Sequence, residues 1–480
     1  MPSGHDLRTA ARAPAGMKPG EVTEDQADTI ALLSDPATHG GVAPRRIDTH
    51  AAMIFLAGDR AWKLKRAVWF PFLDFSTEAK RRSACEAELR FNRRTAPDLY
   101  LDCLPVTRDS AGRLAVDGAG ETVDWVVLMR RFEQEALFSA MAEAGTLTEA
   151  HIRDLADAVA AFHEEAEVRE EHGGAEAMRW IVEDNLEELA AMPEIFPGDA
   201  VARLRALSLE ALETTGPLLD ERRKDGFVRH CHGDLHLRNI CLWRGVPTLF
   251  DCLEFDERLA CTDVLYDLAF LLMDLDHRGY RAFANLAFNR YLQRTGDLAG
   301  LPAFPLFLSC RAAIRAKVEA SAATHQEGGS AQADLRASAR AYLDEAVQCL
   351  EAVQPRLVGM GGESGSGKST VARRLAPHLG RPPGALILRS DVTRKRLFRV
   401  RIEERLPEEG YSREATERTY ARLIDDTLAA LESGTTVIAD AVYARPDERN
   451  ALESAAAKAG VPFHGFWLDA PLEVRMARVG

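Results

Sequence analysis

The sequence predicts two domains of different class. Residues 21–354 read as an α+β domain with two lobes, and residues 355–480 as an α/β domain with a parallel sheet. Three observations lead there. An early strand pair gives way to long helical stretches. A later pair of short strands, near His230 and Phe250, carries polar residues at its ends. After Pro355, strands alternate with helices, the order of a parallel sheet whose ligands sit at its carboxyl edge.

The elements follow in order. Residues 1–20 are polar and rich in Pro and Gly, with no apolar run, so a disordered leader is expected rather than a secretory signal. Residues 21–34 read as a short lead-in helix. Ile54-Phe55-Leu56 and Trp62-Lys63-Leu64-Lys65 flank a turn at Gly58-Asp59, which predicts a hairpin. Thr77 to Arg94 becomes helical. Val123 to Met129 is an apolar strand. Leu155, Val159 and Phe162 fall at helical spacing within 148–165. Val228 to Asp234 and Thr248 to Asp251 are short strands, and helices fill the chain to about Val353. Arg356 to Met360 is a new strand, with a glycine-rich loop and a helix from Ser369 to Leu379 behind it. Leu386 to Leu388, Thr436 to Ala439 and Phe463 to Leu468 are further strands. The connection near Pro355 is too short for a flexible tether.

Charge is unevenly placed. The chain carries a net −14, but residues 356–480 hold 20 basic and 17 acidic side chains, leaving a net −17 on the rest. The acidic first part argues against a nucleic-acid partner there; the second part, with its basic cluster, leaves one open. No run of about 18 apolar residues is present, so no membrane-spanning helix is expected. The eight cysteines include no C-x-x-C pair and no zinc spacing, which predicts reduced thiols in a cytoplasmic protein.

Gly362-Glu363-Ser364-Gly365-Ser366-Gly367-Lys368-Ser369-Thr370 is a complete G-x-x-x-x-G-K-[ST] loop between a strand and a helix. Glycines let successive N–H groups turn inward around phosphates, and the helix N-terminus adds positive potential. Lys368 is expected on the β- and γ-phosphates of ATP and the Ser369 hydroxyl on Mg²⁺. Asp391 follows the next strand, where a carboxylate can act as general base on an acceptor hydroxyl. Asp440 ends a third strand and suits a second metal position. Arg394 is a candidate anion holder, whereas the run Arg394, Lys395, Arg396, Arg399, Arg401 as a whole reads as a solvated helix face. Residues 357–480 resemble the small P-loop kinases, the group with gluconate kinase and chloramphenicol phosphotransferase. The resemblance implies Asp391 as acceptor-activating base and Arg394 as substrate holder. Such kinases continue into an Arg-bearing lid; this sequence stops at Arg475-Met476-Ala477-Arg478-Val479-Gly480, which predicts a truncated lid and puts phosphotransfer by this domain in question.

The second constellation is His232-Gly233-Asp234 with Asn239, then Asp251 seventeen residues past Asp234. An H-x-D, four residues and Asn form a kinase catalytic loop. Asp234 fits the base that orients the acceptor hydroxyl; Asn239 and Asp251 fit Mg²⁺ ligands. Residues 45–345 resemble the aminoglycoside phosphotransferase group, which implies a two-lobe protein-kinase-like fold. The resemblance implies an N-lobe lysine on a strand after a hairpin: Lys63, with Lys65 as runner-up. It implies a partner glutamate on the next helix: Glu88, with Glu86 second. Val126-Val127-Leu128-Met129-Arg130-Arg131 resembles the strand whose backbone pairs with adenine, and Asp267 a scaffold residue. No G-x-G-x-x-G precedes Lys63. Arg311 and Arg315 read as a charged outer helix face.

Together these resemble bacterial proteins that join an aminoglycoside phosphotransferase-like domain to a P-loop kinase domain. The expected function is transfer of the ATP γ-phosphate to a hydroxyl of a small molecule, with a second nucleotide-binding domain. The alternatives are a nucleotide-gated binding protein whose P-loop domain binds ATP without transfer, and an aminoglycoside-modifying kinase.

Overall fold

The computed structural model describes residues 20–70, 73–326 and 328–479. The expected leader, apart from Gly20, lies outside the described residues. The chain forms two compact units: one runs through Thr146 and includes His230–Cys261, and the other comprises Leu147–Arg229 with the chain from Thr262 onward.

The first unit is built on a six-stranded antiparallel sheet. Its order is Arg45–Asp48, Ala52–Ala57, Arg60–Lys65, Glu121–Arg130, Tyr100–Arg108, Leu114–Val116. The predicted hairpin pairs Leu56 with Ala61 and Ile54 with Lys63. Gly58 takes φ +56, which its two-residue turn requires and glycine adopts without strain. Helix Glu78–Asn92 starts at Thr77, whose hydroxyl accepts from the Lys80 amide. Its Cys85 packs with Leu56, Leu99 and Val127 in the core of this unit. The lead-in helix is shorter than predicted, Ala27–Ser34. The residues predicted to begin it pair with residues 67–68 of the same chain instead: Thr23 N–H donates to the Ala67 carbonyl, and Val22 bridges Val68.

The strand Glu121–Arg130 differs from expectation in one respect. It has hydrogen-bonded neighbours on both sides, Lys63 opposite Val127 on one and Leu104 opposite Val126 on the other. The backbone of Val126 to Met129 is therefore engaged within the sheet.

The second unit contains long helices, among them Glu149–Glu165, Gly198–Lys224, Val264–His277, Arg281–Thr295 and Phe304–Thr324, together with a four-stranded parallel sheet. The sheet order is Leu386–Arg389, Val437–Asp440, Leu357–Gly362, Phe463–Leu468. Helix Lys368–Leu375 leaves the glycine-rich loop and gives way to a 3₁₀ turn at Ala376–His378, where Pro377 removes a donor. Strand Leu386–Arg389 is an edge strand, and helix Arg281–Thr295 covers it. Asn289 accepts from the Ile387 N–H at 2.6 Å, and Asn285 and Asn289 donate to the Ala385 carbonyl at 3.0 and 3.1 Å. Two buried asparagines thus satisfy backbone groups that an edge strand leaves open. Arg311 is not on an outer face. It is 4% exposed, lies over the rings of Tyr266 and Phe270, and donates to the Tyr266 carbonyl. Arg315 is largely buried, paired with Glu319 one turn on. A guanidinium stacked on rings and bonded to a carbonyl is tolerated in a core that an ammonium would disrupt.

No helix among the described residues is long and apolar enough to cross a membrane. All eight cysteines are free thiols.

Candidate active site

Strand alternation puts Lys63 and Lys65 on one face of Arg60–Lys65. Both reach Glu88, which is fully buried on helix Glu78–Asn92. Lys63 Nζ donates to Glu88 Oε1 at 2.7 Å and to Asp251 Oδ1 at 2.6 Å. Lys65 Nζ donates to Glu88 Oε2 at 2.7 Å and to Glu254 Oε1. Burial alone would raise Glu88; the two ammonium groups override it and bring its carboxyl down to about 2. Burial would likewise lower Lys63, but Asp251 and Glu88 hold it well above the ordinary lysine value. Glu254 goes the other way: burial raises it, and Lys65 offsets only part. Glu86, the second candidate, is on the exposed side of the helix and pairs with Arg82.

The H-x-D loop is held by its own histidine. His232 is fully buried. Its Nδ1 accepts from the Asp234 N–H at 3.3 Å, so Nε2 carries the proton and donates to the Phe250 carbonyl at 2.9 Å. Leu253 N–H returns to the His232 carbonyl. The loop of Asp234 and the segment of Asp251 are thereby stitched together. Asn239 donates to Asp234 Oδ2 at 2.8 Å and to the Asp234 carbonyl at 3.0 Å. Its amide oxygen is left to ligate a cation. The Asp234 and Asp251 carboxylates are each about 40% exposed. Two accessible carboxylates and an amide oxygen are the hard donors that a divalent ion such as Mg²⁺ accepts.

Asp251 has φ +61, a left-handed conformation for a residue with a Cβ. Tyr100 and Asn92 fix it: the Asp251 N–H donates to the Tyr100 hydroxyl at 3.2 Å and the Cys252 N–H to Asn92 Oδ1 at 2.8 Å. Glu254, Asn92 and Tyr100 were not among the sequence candidates. Nothing local in the sequence marks Glu254, Asn92 or Tyr100; Glu254 meets Lys65 across 189 residues of chain. In the second unit Asp267 is fully buried and bonded to His163 Nε2 at 3.1 Å.

The glycine-rich loop lies at the carboxyl edge of the parallel sheet. Gly365 and Gly367 take φ +80 and +96. A Cβ at Gly362 would meet the Leu468 carbonyl oxygen at 2.2 Å. Lys368 Nζ donates to the Glu363 carbonyl at 2.8 Å. Ser369 Oγ donates to Asp440 Oδ2 at 2.6 Å. Asp440 is buried; that raises its carboxyl, while the Ser369 bond and Arg389 pull it back. Ser364, Ser366 and Thr370 complete the loop and its first helical turn. Asp391 is the second residue of helix Ser390–Leu397, half exposed, 3.6 Å from Lys395. Arg394 is spent internally, donating to the Gly410 carbonyl at 2.7 Å and to Thr416 at 3.0 Å. Lys395 and Arg396 also bond backbone carbonyls, so the first half of the basic run is packed rather than solvated. Helix Leu472–Val479 brings Arg475 onto Glu363 and Arg478 onto the Gly365 carbonyl, at 3.2 Å for the latter.

A model of the phosphotransferase enzyme family matches residues 58–304, about half the chain. The chain belongs to that family. It also matches an AAA domain model over residues 357–480. It is 31% identical over 442 residues to an uncharacterized protein of Mycobacterium tuberculosis, covering 90% of this chain and 85% of the relative. Over 117 residues it is 32% identical to adenylyl-sulfate kinase of Myxococcus xanthus, 24% of this phosphotransferase and 59% of that enzyme. Among solved structures, amicoumacin kinase covers 66% of the chain, and 91% of that kinase is aligned, at 16% identity and a TM-score of 0.41. By these family models the chain joins a phosphotransferase-family domain to a P-loop kinase-like domain.

Proposed function

We propose that the first domain transfers the ATP γ-phosphate to a hydroxyl of a small molecule. The observation that carries this is the single ion cluster joining Lys63, Glu88 and Asp251 in the unit that also holds the Asp234–Asn239 pair. Lys63 neutralises phosphate charge and is itself aimed by Glu88. Asp234 takes the proton of the acceptor hydroxyl. As the acceptor oxygen bonds to the γ-phosphorus, the bond to the β–γ bridging oxygen breaks and ADP leaves. Mg²⁺, held by Asn239 and Asp251, would neutralise charge on the phosphates. Positioning and charge neutralisation supply most of the rate.

In the second domain the loop Gly362 to Thr370 would bind ATP, with Lys368 on the phosphates, Ser369 and Asp440 on Mg²⁺, and Asp391 facing a second acceptor. The placement of Arg475 and Arg478 against the loop supports this reading. The internal bonds of Arg394 speak for a structural role there.

The test is Mg²⁺-ATP consumption on a pool of hydroxylated metabolites with mass detection of phosphorylated products, for the unaltered chain, Asp234→Ala and Lys368→Ala. A product lost in Asp234→Ala is expected. Products that persist in that variant would overturn the assignment of the first domain. A product lost with Lys368→Ala alone would make the P-loop domain a second kinase; nucleotide binding there without any such product would make it a binding module.

A further inference from the structure

Beside the glycine-rich loop lies a cavity of about 630 Å³ within the second unit. One wall is the first turns of helix Lys368–Leu375: Ser369, Thr370, Arg373. Strand Leu386–Arg389 contributes Ile387 and Arg389. The opposite wall comes from helices N-terminal to the P-loop domain: Arg153 on Glu149–Glu165, and Asn289 and Arg290 on Arg281–Thr295. No residue from Gly362 to Lys368 is in the wall. The cavity is therefore a second compartment, meeting the loop only at the Ser369 side.

Its charge is lopsided. Five arginines line it, Arg153, Arg290, Arg373, Arg374 and Arg389, against one carboxylate, Glu149. Arg290 is satisfied by Asp157 and Glu403, and Arg153 has Glu149. Among the described residues Arg389 has only Asp440 within ion-pair reach, at 3.7 Å, and Asp440 is already bonded to Ser369. Arg373 and Arg374 have no ion pair among the described residues. Partial burial, and then the like charges of Arg153 and Arg389, push the Arg373 guanidinium below its ordinary value. Guanidinium groups in excess of their counter-charges around a ligand-sized cavity are a receptor for an oxyanion, because each presents paired donors to two oxygens at once.

We propose that this cavity binds a small phosphate- or sulfate-bearing molecule, with Arg153, Arg373 and Arg389 as its counter-ions. The ligand's selectivity is then set in part by a helix that precedes the P-loop domain in the chain. This rests on the reading of residues 357–480 as a nucleotide-binding module only for its placement next to the nucleotide; the anion site stands on its own residues.

The test is calorimetric titration of the full chain with inorganic phosphate and, separately, sulfate, after saturation with Mg-ADP so that the glycine-rich loop is occupied. Arg153→Gln, Arg373→Gln and Lys368→Ala are compared, with circular dichroism to confirm folding. Saturable anion binding is expected, weakened about tenfold by each arginine substitution and retained in Lys368→Ala. Anion binding lost in Lys368→Ala but kept in both arginine variants would put the anion on the loop and overturn the proposal. No saturable binding would do the same. Loss of Mg-ADP binding in the unaltered chain, with arginine-dependent phosphate binding intact, would overturn the nucleotide reading and leave the anion site standing.

Discussion

Glu88 is fully buried yet charged, and two ammonium groups keep it so. Its carboxyl falls from 4.5 to about 2 on folding. A depressed carboxylate adds stability that is complete above its unfolded value and is lost as pH falls through its folded value. For Glu88 that window runs from 4.5 down to 2, and the contribution is about 3 kcal/mol. Urea midpoints measured from pH 6 to pH 2 are expected to drop across this window, and Glu88→Gln is expected to flatten the drop. Asp234 is partly exposed and accepts from Asn239 in its own loop, and the proposed reaction gives it the proton of the acceptor hydroxyl. Asp234→Asn is expected to lower turnover by about 10³-fold with ATP affinity nearly unchanged; equal loss of binding and turnover would remove it from the base position. The residues that stand out in sequence are those whose spacing is local, such as His232, Asp234 and Asn239. Glu254 and Tyr100 do not stand out, because each acts through a contact between segments far apart in the chain.

Helices and strands show the same divide. The hairpin at Gly58, the strand before the glycine-rich loop and helix Glu78–Asn92 are legible because turn residues and apolar period are local signals. Arg311 reads as surface because charge usually means solvent; only the fold supplies the rings of Tyr266 and Phe270 that let it be buried. Nor does the apolar run at Val126 reveal that both sides of its strand are taken. Two elements invite measurement. Arg222 on helix Gly198–Lys224 is buried between Asp263 and Asp297, with all four bonds at 2.7 to 2.9 Å. Arg222→Met strands two carboxylates and is expected to cost about 3–5 kcal/mol in chemical denaturation. Asn289→Leu leaves the Ile387 N–H without its partner. It is expected to cost about 1–3 kcal/mol and to speed hydrogen exchange at Ile387.

At the scale of the whole molecule, the proposed reading gives each unit its own set of phosphate-handling groups. The full chain is therefore expected to bind two Mg-ATP equivalents in calorimetry, falling to one in Lys368→Ala. A stoichiometry of one in the unaltered chain would assign nucleotide to a single domain. The double grip on Glu88 has a consequence for how such an enzyme can lose activity. Glu88 does not become an orphan when Lys63 is replaced, because Lys65 still neutralises it and Glu254 still anchors Lys65. With Lys63 on the phosphates, as proposed, a chain that lacks it is inert while Glu88 stays neutralised. Lineages that drop the chemistry can keep the scaffold for other work, so silence in an assay and collapse of the protein are separate events here.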